Sequence, residues 1–330
     1  MQLTRRAALA AAIAASMRPK LSAPESRGAD DLGARLDTDL RQHAQFGDKV
    51  TGSAGDQRTA DWIAERLARI GFAVEQPRFG APFFTMRRSV LAVGGESVDV
   101  IPQPIVVPTG PDGITAPVAI MREVEDALDA RGCIALIVLP FGRWAALWSS
   151  PIAARIKASD QAGAKAVVIV TTGPSAEAVM LNTPATEPFV ALPVAILAPK
   201  NAHRILVAAR SRAPATLILD GSNDRRETCN VIGRLQRGPR WVALSTPRTG
   251  WFACVGERGT GTAAFLELAA WLALRFPELS IVALNSGAHE YDFDGMHRAM
   301  DAAPPAGDTA LWVHIGAPWL RSIMPRSVAS

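Results

Sequence analysis

Residues 241–284 read WVALSTPRTG WFACVGERGT GTAAFLELAA WLALRFPELS IVAL. Trp241 to Leu244 is an apolar run of strand length, Thr260 to Leu274 repeats apolar residues at helical spacing, and Ile281 to Leu284 is again short and wholly apolar. Strand, helix, strand in this order predicts a parallel sheet with helix-covered faces, so the fold class is α/β. In such sheets ligands bind beyond the carboxyl ends of the strands, which directs attention to the loops Ser245 to Gly259 and Asn285 to Gly295.

Working outward, Asn230-Val231-Ile232-Gly233 reads as a further strand. Upstream, Leu32 to Arg69 is helical: Leu36, Leu40 and His43 recur every three or four residues, Thr51 to Gly55 breaks the pattern, and Trp62, Ile63 and Leu67 resume it. Gly71 ends the second helix and Phe72-Ala73-Val74 starts a strand. Between Val90 and Leu219 lie short β-branched runs: Ile105-Val106-Val107, Ile134 to Leu139, Val167 to Val170, Val194 to Leu197 and Leu217 to Leu219. One helix, Ala153 to Ala162, interrupts them, as in a small mixed β/α domain.

Composition bounds the function. With 330 residues, 48% of them hydrophobic and 20% charged, the chain is globular and long enough for two domains. The formal charge of +4 comes from Arg5, Arg6, Arg18 and Lys20; without them basic residues equal the 31 acidic ones, which leaves no electrostatic footprint for nucleic acid. Thr4-Arg5-Arg6 ahead of the apolar run Ala7 to Ala15 reads as an export signal over residues 1–23, similar to a twin-arginine signal; a fraying amphipathic N-terminus is the alternative. The run is too short to span a bilayer, so the mature chain is expected in the periplasm or outside the cell with no integral span. Cys133, Cys229 and Cys254 form no CxxC pair and read as buried small residues.

Three blocks carry a family resemblance. GDKVTGSAGDQRTADWIAERLARIGFAVE (47–75) resembles the opening of M28-type zinc aminopeptidases. GCIALIVLPFG (132–142) with RIKASDQAGAKAVVIV (155–170) resembles a protease-associated domain, a module inserted in such peptidases. CNVIGRL (229–235), the stretch from Trp241, and IVALNSGAHEYDFDG (281–295) follow the order of the family's catalytic core. The resemblance implies a three-layer helix-sheet-helix domain made of residues 34–84 and 226–330, with a protease-associated-like insert at 85–225.

The family's chemistry uses two zinc ions about 3.5–4 Å apart, whose shared water attacks a peptide carbonyl. By position, the first histidine ligand falls on Ser245 or Thr246 and the bridging aspartate on Gly256, with Glu257 the carboxylate one step later. The general-base position holds His289, the glutamate ligand matches Glu290, and the second aspartate falls on His314 of LWVHIG. The family's last histidine lies well downstream, and this sequence ends at Ser330. One reading is a rebuilt site for a single, weak zinc on Glu290 and His314 with Glu257 or His289; the other gives these side chains structural roles, with no metal.

The resemblance therefore implies a metallopeptidase homologue of aminopeptidase type, acting on peptide or protein, with a degenerate zinc site and impaired catalysis. The alternative is a non-catalytic peptide- or protein-binding scaffold. Other motifs are weaker. His289 and His297 flank a turn at Asp292 to Gly295 and do not form an HExxH pair. Gly256 to Gly261 could face an anion, or serve capping and close packing. Ser286 lacks a nucleophile-elbow context. Phe265, Leu268, Trp271 and Leu272 are expected on the buried face of their helix.

Overall fold

The computed structural model describes residues 27–316; the segment 1–23, expected from its sequence to be an export signal, lies outside the described residues. Two helices come first, α1 (Arg27–Gln45) and α2 (Ala54–Ile70). Ser53 caps α2, its hydroxyl accepting from the Asp56 N–H at 3.2 Å, and Gly71 ends it at φ 107°, a left-handed value that glycine adopts without strain. Gly55 is required by space: a Cβ there would lie 1.9 Å from the Asp48 carbonyl oxygen. Ala60, Ile63, Ala64 and Leu67 form the buried face of α2.

A five-stranded sheet has the order β1 (Ala73–Glu75), β10 (Val231–Leu235), β12 (Ser280–Ser286), β11 (Trp241–Pro247), β13 (Thr309–His314). Strand β11 pairs parallel with both β12 and β13, but β10 is antiparallel to β12 and to β1. The expected parallel sheet is thus mixed. The reason is the connection: only residues 236–240 separate β10 from β11, too few for a crossover, whereas α5 (Thr260–Arg275) and α6 (Asp294–Ala299) provide the crossovers that parallel neighbours need.

Both faces of this sheet are covered. Val231, Val242, Leu244, Ile281 and Ala283 pack with α2 and α5, while Ile232, Ala243, Val282 and Leu284 face Met296 and Trp312 on the other side. Burial on both faces is why these strands are continuous apolar runs. On α5 the buried arc runs through Phe265, Leu266, Ala269 and Leu272; Trp271, expected inside, is 49% exposed and stacks edge-on against Phe276. It sits two positions past Ala269, about 200° round the helix.

The second sheet has eight strands in the order β3 (Glu96–Asp99), β2 (Arg78–Val93), β9 (Pro214–Cys229), β5 (Ile114–Met121), β6 (Ile134–Val138), β7 (Ala166–Val170), β8 (Val194–Leu197), β4 (Ile101–Pro102). Helix α3 (Ser150–Ala162) packs on one side and α4 (His203–Arg210) on the other. Strands β2 and β9 pair along their whole length, from Arg78 opposite Cys229 to Val93 opposite Ala215, and so run as one ribbon from the first sheet into the second. Residues 84–85 and 225–226 fall inside this ribbon. The strand expected at Ile105 to Val107 does not form; Val106 is buried, and its carbonyl accepts from the Asn223 side chain at 2.8 Å in place of a ladder partner. Among the described residues no helix is long and apolar enough to cross a membrane.

Where the ribbon leaves the first sheet, Arg248 and Asp56 form an ion pair with both side chains fully buried. Arg248 Nε donates to Asp56 Oδ1 at 2.8 Å, Nη1 to Asn285 Oδ1 at 2.9 Å and Nη2 to the Cys229 carbonyl at 2.6 Å. The second carboxylate oxygen accepts from the Thr228 hydroxyl at 2.6 Å and the Gly52 N–H at 2.9 Å. Breaking a buried pair leaves an uncompensated charge, so Asp56→Ala is expected to lower stability by about 3–5 kcal/mol in urea unfolding. Loss of the exposed pair Arg78–Glu227 is expected to leave the urea midpoint unchanged.

Candidate active site

The carboxyl ends of β11, β12 and β13 converge beside the start of α5, and the loops that follow them carry the candidate residues. After β11 the chain passes Thr249 and reaches Cys254, whose φ of 48° turns it into a π-helical turn, Val255–Gly259, that runs into α5. That turn is tightly seated: a Cβ on Gly259 would lie 3.0 Å from the His43 ring, and one on Gly261 3.1 Å from the Gly316 carbonyl oxygen. The glycine-rich stretch is therefore used for close packing.

Each candidate has a defined place. Glu290 is 1% exposed; its Oε2 accepts from the Thr51 hydroxyl at 3.0 Å and the Thr249 hydroxyl at 2.7 Å, while Oε1 has no partner among the described residues. Its backbone carbonyl accepts from the Thr183 N–H at 2.8 Å, tying the loop to the second sheet's connections. His289 is half-buried, donates its backbone N–H to the Thr249 hydroxyl at 3.1 Å, and sets its ring edge-on to Phe293 at 4.8 Å. Burial, followed by the nearby Arg258 and His314, pushes the His289 imidazole down to about 3.

His314 ends β13 directly opposite Ser245. Its Nδ1 lies 2.8 Å from the Ser245 hydroxyl, which also accepts from Trp312 Nε1 at 2.8 Å. Ser245 is fully buried, so the pair is a strand-end clasp and offers no nucleophile to a substrate. Glu257 is exposed and paired with Arg258 Nη2 at 2.9 Å. Arg258, which the sequence did not single out, is 5% exposed and donates from Nε to the Thr249 carbonyl at 2.7 Å.

Of these groups Glu257, Arg258 and His289 border a cavity of about 680 Å³, whereas Glu290 and His314 are not part of its lining. Arg258, His289 and Phe293 form one wall; Trp144 and Met180 come from the second sheet's loops, with Trp251 beside them. Residues 292–295, expected as a turn, start as one, with Asp292 and Phe293 at φ 49° and 59°, but Asp294 already opens α6, and His297 lies exposed on that helix. Cys133 and Cys229 are buried as expected, Cys254 only partly, and all three are free.

The donors do not fit a zinc centre. Among the described residues no three His, Cys, Asp or Glu side chains come together in a way that could hold a metal ion. His314 Nδ1 is shared with Ser245, Glu290 Oε2 is taken by two hydroxyls and Glu257 by Arg258, while Gly256 has no side chain. A guanidinium also stands close enough to act on both His289 and Glu290. Thr51 and Thr249 were missed from the sequence because a threonine in a turn carries no signal until the carboxylate it serves is in place.

Burial pushes the Glu290 carboxyl up to about 7, and its own backbone N–H, the threonine hydroxyls and Arg258 offset only part of this. From its ordinary value of 4.5 to about 7, the folded chain holds a proton that the unfolded chain has lost, so this group's contribution to stability falls as pH rises through that window and is level above it. Glu290→Gln is expected to match the parent near pH 4.5 and to exceed it above pH 7 by on the order of 3 kcal/mol, read from urea midpoints across pH. A variant weaker than the parent at every pH would show that the ionised carboxylate has a partner that stabilises it.

No protein-family model matches the chain. The probable lipoprotein aminopeptidase LpqL of Mycobacterium tuberculosis (strain ATCC 25618 / H37Rv) is 26% identical over 248 residues, which is 70% of this chain and 46% of that protein, so the chain spans less than half of this relative. Among solved structures, BSAP, a zinc aminopeptidase from Bacillus subtilis, superposes with a TM-score of 0.68 at 21% identity over 85% of this chain and 68% of that one. The Peptidase M28 precursor from Shewanella amazonensis SB2B gives 0.64 at 17% identity over 84% and 70%, and the aminopeptidase from Aneurinibacillus sp. strain AM-1 gives 0.63 at 16% over 85% and 69%. The chain has the α/β fold of the M28-type zinc aminopeptidases.

Proposed function

We propose that this chain is a peptidase-type protein of the cell envelope that binds peptides at the carboxyl edge of its five-stranded sheet and has lost zinc-dependent hydrolysis. The observation that carries this reading is the replacement of a ligand cluster by engaged side chains and a guanidinium: Gly256 stands where the resemblance expects a bridging carboxylate, and Arg258 lines the cavity two residues later. A divalent ion and a buried guanidinium repel each other at short range, so the arrangement disfavours metal. His289, in the base position, is too weak a base near neutral pH to draw a proton from water.

Peptide binding is supported by the cavity, whose apolar wall of Trp144, Trp251, Met180 and Phe293 suits side chains and whose volume suits a few residues. Residues 85–225, taken as a protease-associated-like insert, supply Trp144 and Met180 to this wall. Export is supported by the residue pattern of 1–23 and by the similarity to a mycobacterial protein that is a probable lipoprotein. A second reading rests on the unpartnered Glu290 Oε1: a single weak zinc held there and by His314, with Glu257 or His289.

Elemental analysis of dialysed protein and an assay on aminoacyl p-nitroanilides, with and without added zinc, separate these readings. The expected result is no retained zinc and no release of nitroaniline above the uncatalysed rate, together with quenching of tryptophan fluorescence by short peptides that Trp144→Ala and Trp251→Ala reduce. One zinc per chain, lost in Glu290→Ala, would favour the second reading. Two tightly held zincs with zinc-dependent turnover would overturn both.

A further inference from the structure

We infer that the cavity holds an uncharged stretch of peptide, internal or blocked at its ends, by pairing Asn182 and His289 with a backbone amide and setting a large apolar side chain against the aromatic wall. The inference rests on the peptide-binding reading and specifies which part of a peptide is held. It starts from the backbone that carries these two side chains. The Thr183 N–H donates to the Glu290 carbonyl at 2.8 Å, and Asn182 and His289 immediately precede that bonded pair. Thr183 and Glu290 have buried side chains, whereas Asn182 and His289 are half-buried and line the cavity. The Asn182 backbone is fixed further, its N–H donating to the Ala145 carbonyl at 2.7 Å and its carbonyl accepting from the Leu147 N–H at 2.9 Å. One contact between loops of the two sheets thus presents both polar side chains to the same space.

The charges argue against an ionic ligand. Glu257 pairs with Arg258 Nη2 at 2.9 Å, Arg258 is held again through Nε on the Thr249 carbonyl, and Arg143 is not free either. A peptide ammonium or carboxylate entering here would give up water without meeting an unpaired opposite charge. The polar capacity that remains is of both kinds. Among the described residues neither the Asn182 amide nor the His289 ring nitrogens make a hydrogen bond, although both residues border the cavity. A side-chain amide carries donors and an acceptor, and a neutral imidazole carries one of each. Arg258 Nη1 adds a donor and the second Glu257 oxygen an acceptor, while the Trp251 indole N–H is buried and takes no part. A wall that both gives and accepts, with its charges already matched, is complementary to a peptide unit, which has one N–H and one C=O. Around it Trp144, Val179, Met180 and Phe293 supply apolar surface, so the residue beside that amide gains most from a large apolar side chain.

Isothermal titration at pH 7, where an imidazole is mostly neutral and a peptide α-amine mostly charged, tests this with N-acetylphenylalanine N-methylamide. Four relatives serve as comparisons: phenylalanine N-methylamide, with a free ammonium; N-acetylphenylalanine, with a free carboxylate; N-acetylglycine N-methylamide, without the apolar side chain; and N-acetylphenylalanine methyl ester, in which oxygen replaces one amide N–H. The blocked amide is expected to bind at least about tenfold more tightly than each relative, with little dependence on salt. Asn182→Leu and His289→Phe should each weaken it severalfold. Should either variant lose its fold by circular dichroism, the ester comparison on the parent protein decides. Any relative binding as tightly as the blocked amide, or both variants binding it like the parent, would overturn the inference while leaving peptide binding in place. Failure of all five probes while free-ended tripeptides still quench the tryptophans would also overturn the inference alone. Failure of the tripeptides as well would overturn both.

Discussion

The buried contact between the Arg248 guanidinium and the Asp56 carboxylate is the constraint on which the rest of the molecule is arranged. Its two charges have no solvent, so every remaining donor and acceptor must be matched inside the protein. Asp56 reaches from the first turn of α2 to Thr228 at the end of the β2–β9 ribbon, and Arg248 reaches from the end of β11 to Asn285 on β12 and the Cys229 carbonyl. One ion pair thus fixes the entry of a helix, the junction of the ribbon and two strand ends in a single register. A side chain placed wrongly at any of these points would strand a charge in the interior.

The loops of the candidate site grow directly out of this knot. Arg248 precedes Thr249, and Thr249 holds the Glu290 carboxylate, the His289 backbone and the Arg258 side chain at once, through its hydroxyl and its carbonyl. The same packing that secures the fold therefore positions the side chains of the site. Gly295 adds to this, since a Cβ there would lie 2.0 Å from the Gly287 carbonyl oxygen, so the loop after β12 closes on itself only with glycine at that position.

The same arrangement is what the proposed loss of zinc-dependent hydrolysis rests on. A zinc cage needs several anionic or neutral donors with lone pairs free toward one point. Here the donor atoms are already committed to hydroxyls and to a guanidinium, and the remaining carboxyl oxygen of Glu290 sits in a dry setting that favours its protonated form. A fixed organic cation facing an aromatic wall is suited to recognition.

The sequence by itself determined the α/β class, a helical stretch from Leu32 to Arg69 broken at Thr51 to Gly55, the helix from Thr260 to Leu274, and the strands at Trp241 to Leu244 and Ile281 to Leu284, because local periodicity and chain-entropy limits act over a few residues. It also directed attention to the loops after those two strands, since strand direction alone says where a crevice opens. Only the tertiary structure decided that the sheet is mixed, that Trp271 faces outward, that Arg248 is buried on Asp56 and that Arg258 borders the cavity. Partners in these contacts lie as far as 192 residues apart, and no local pattern encodes which distant acid will meet which arginine. The fate of Glu290 was undecidable from its neighbours for the same reason: its hydroxyl partners sit 239 and 41 residues away, and its burial is a property of the packed whole.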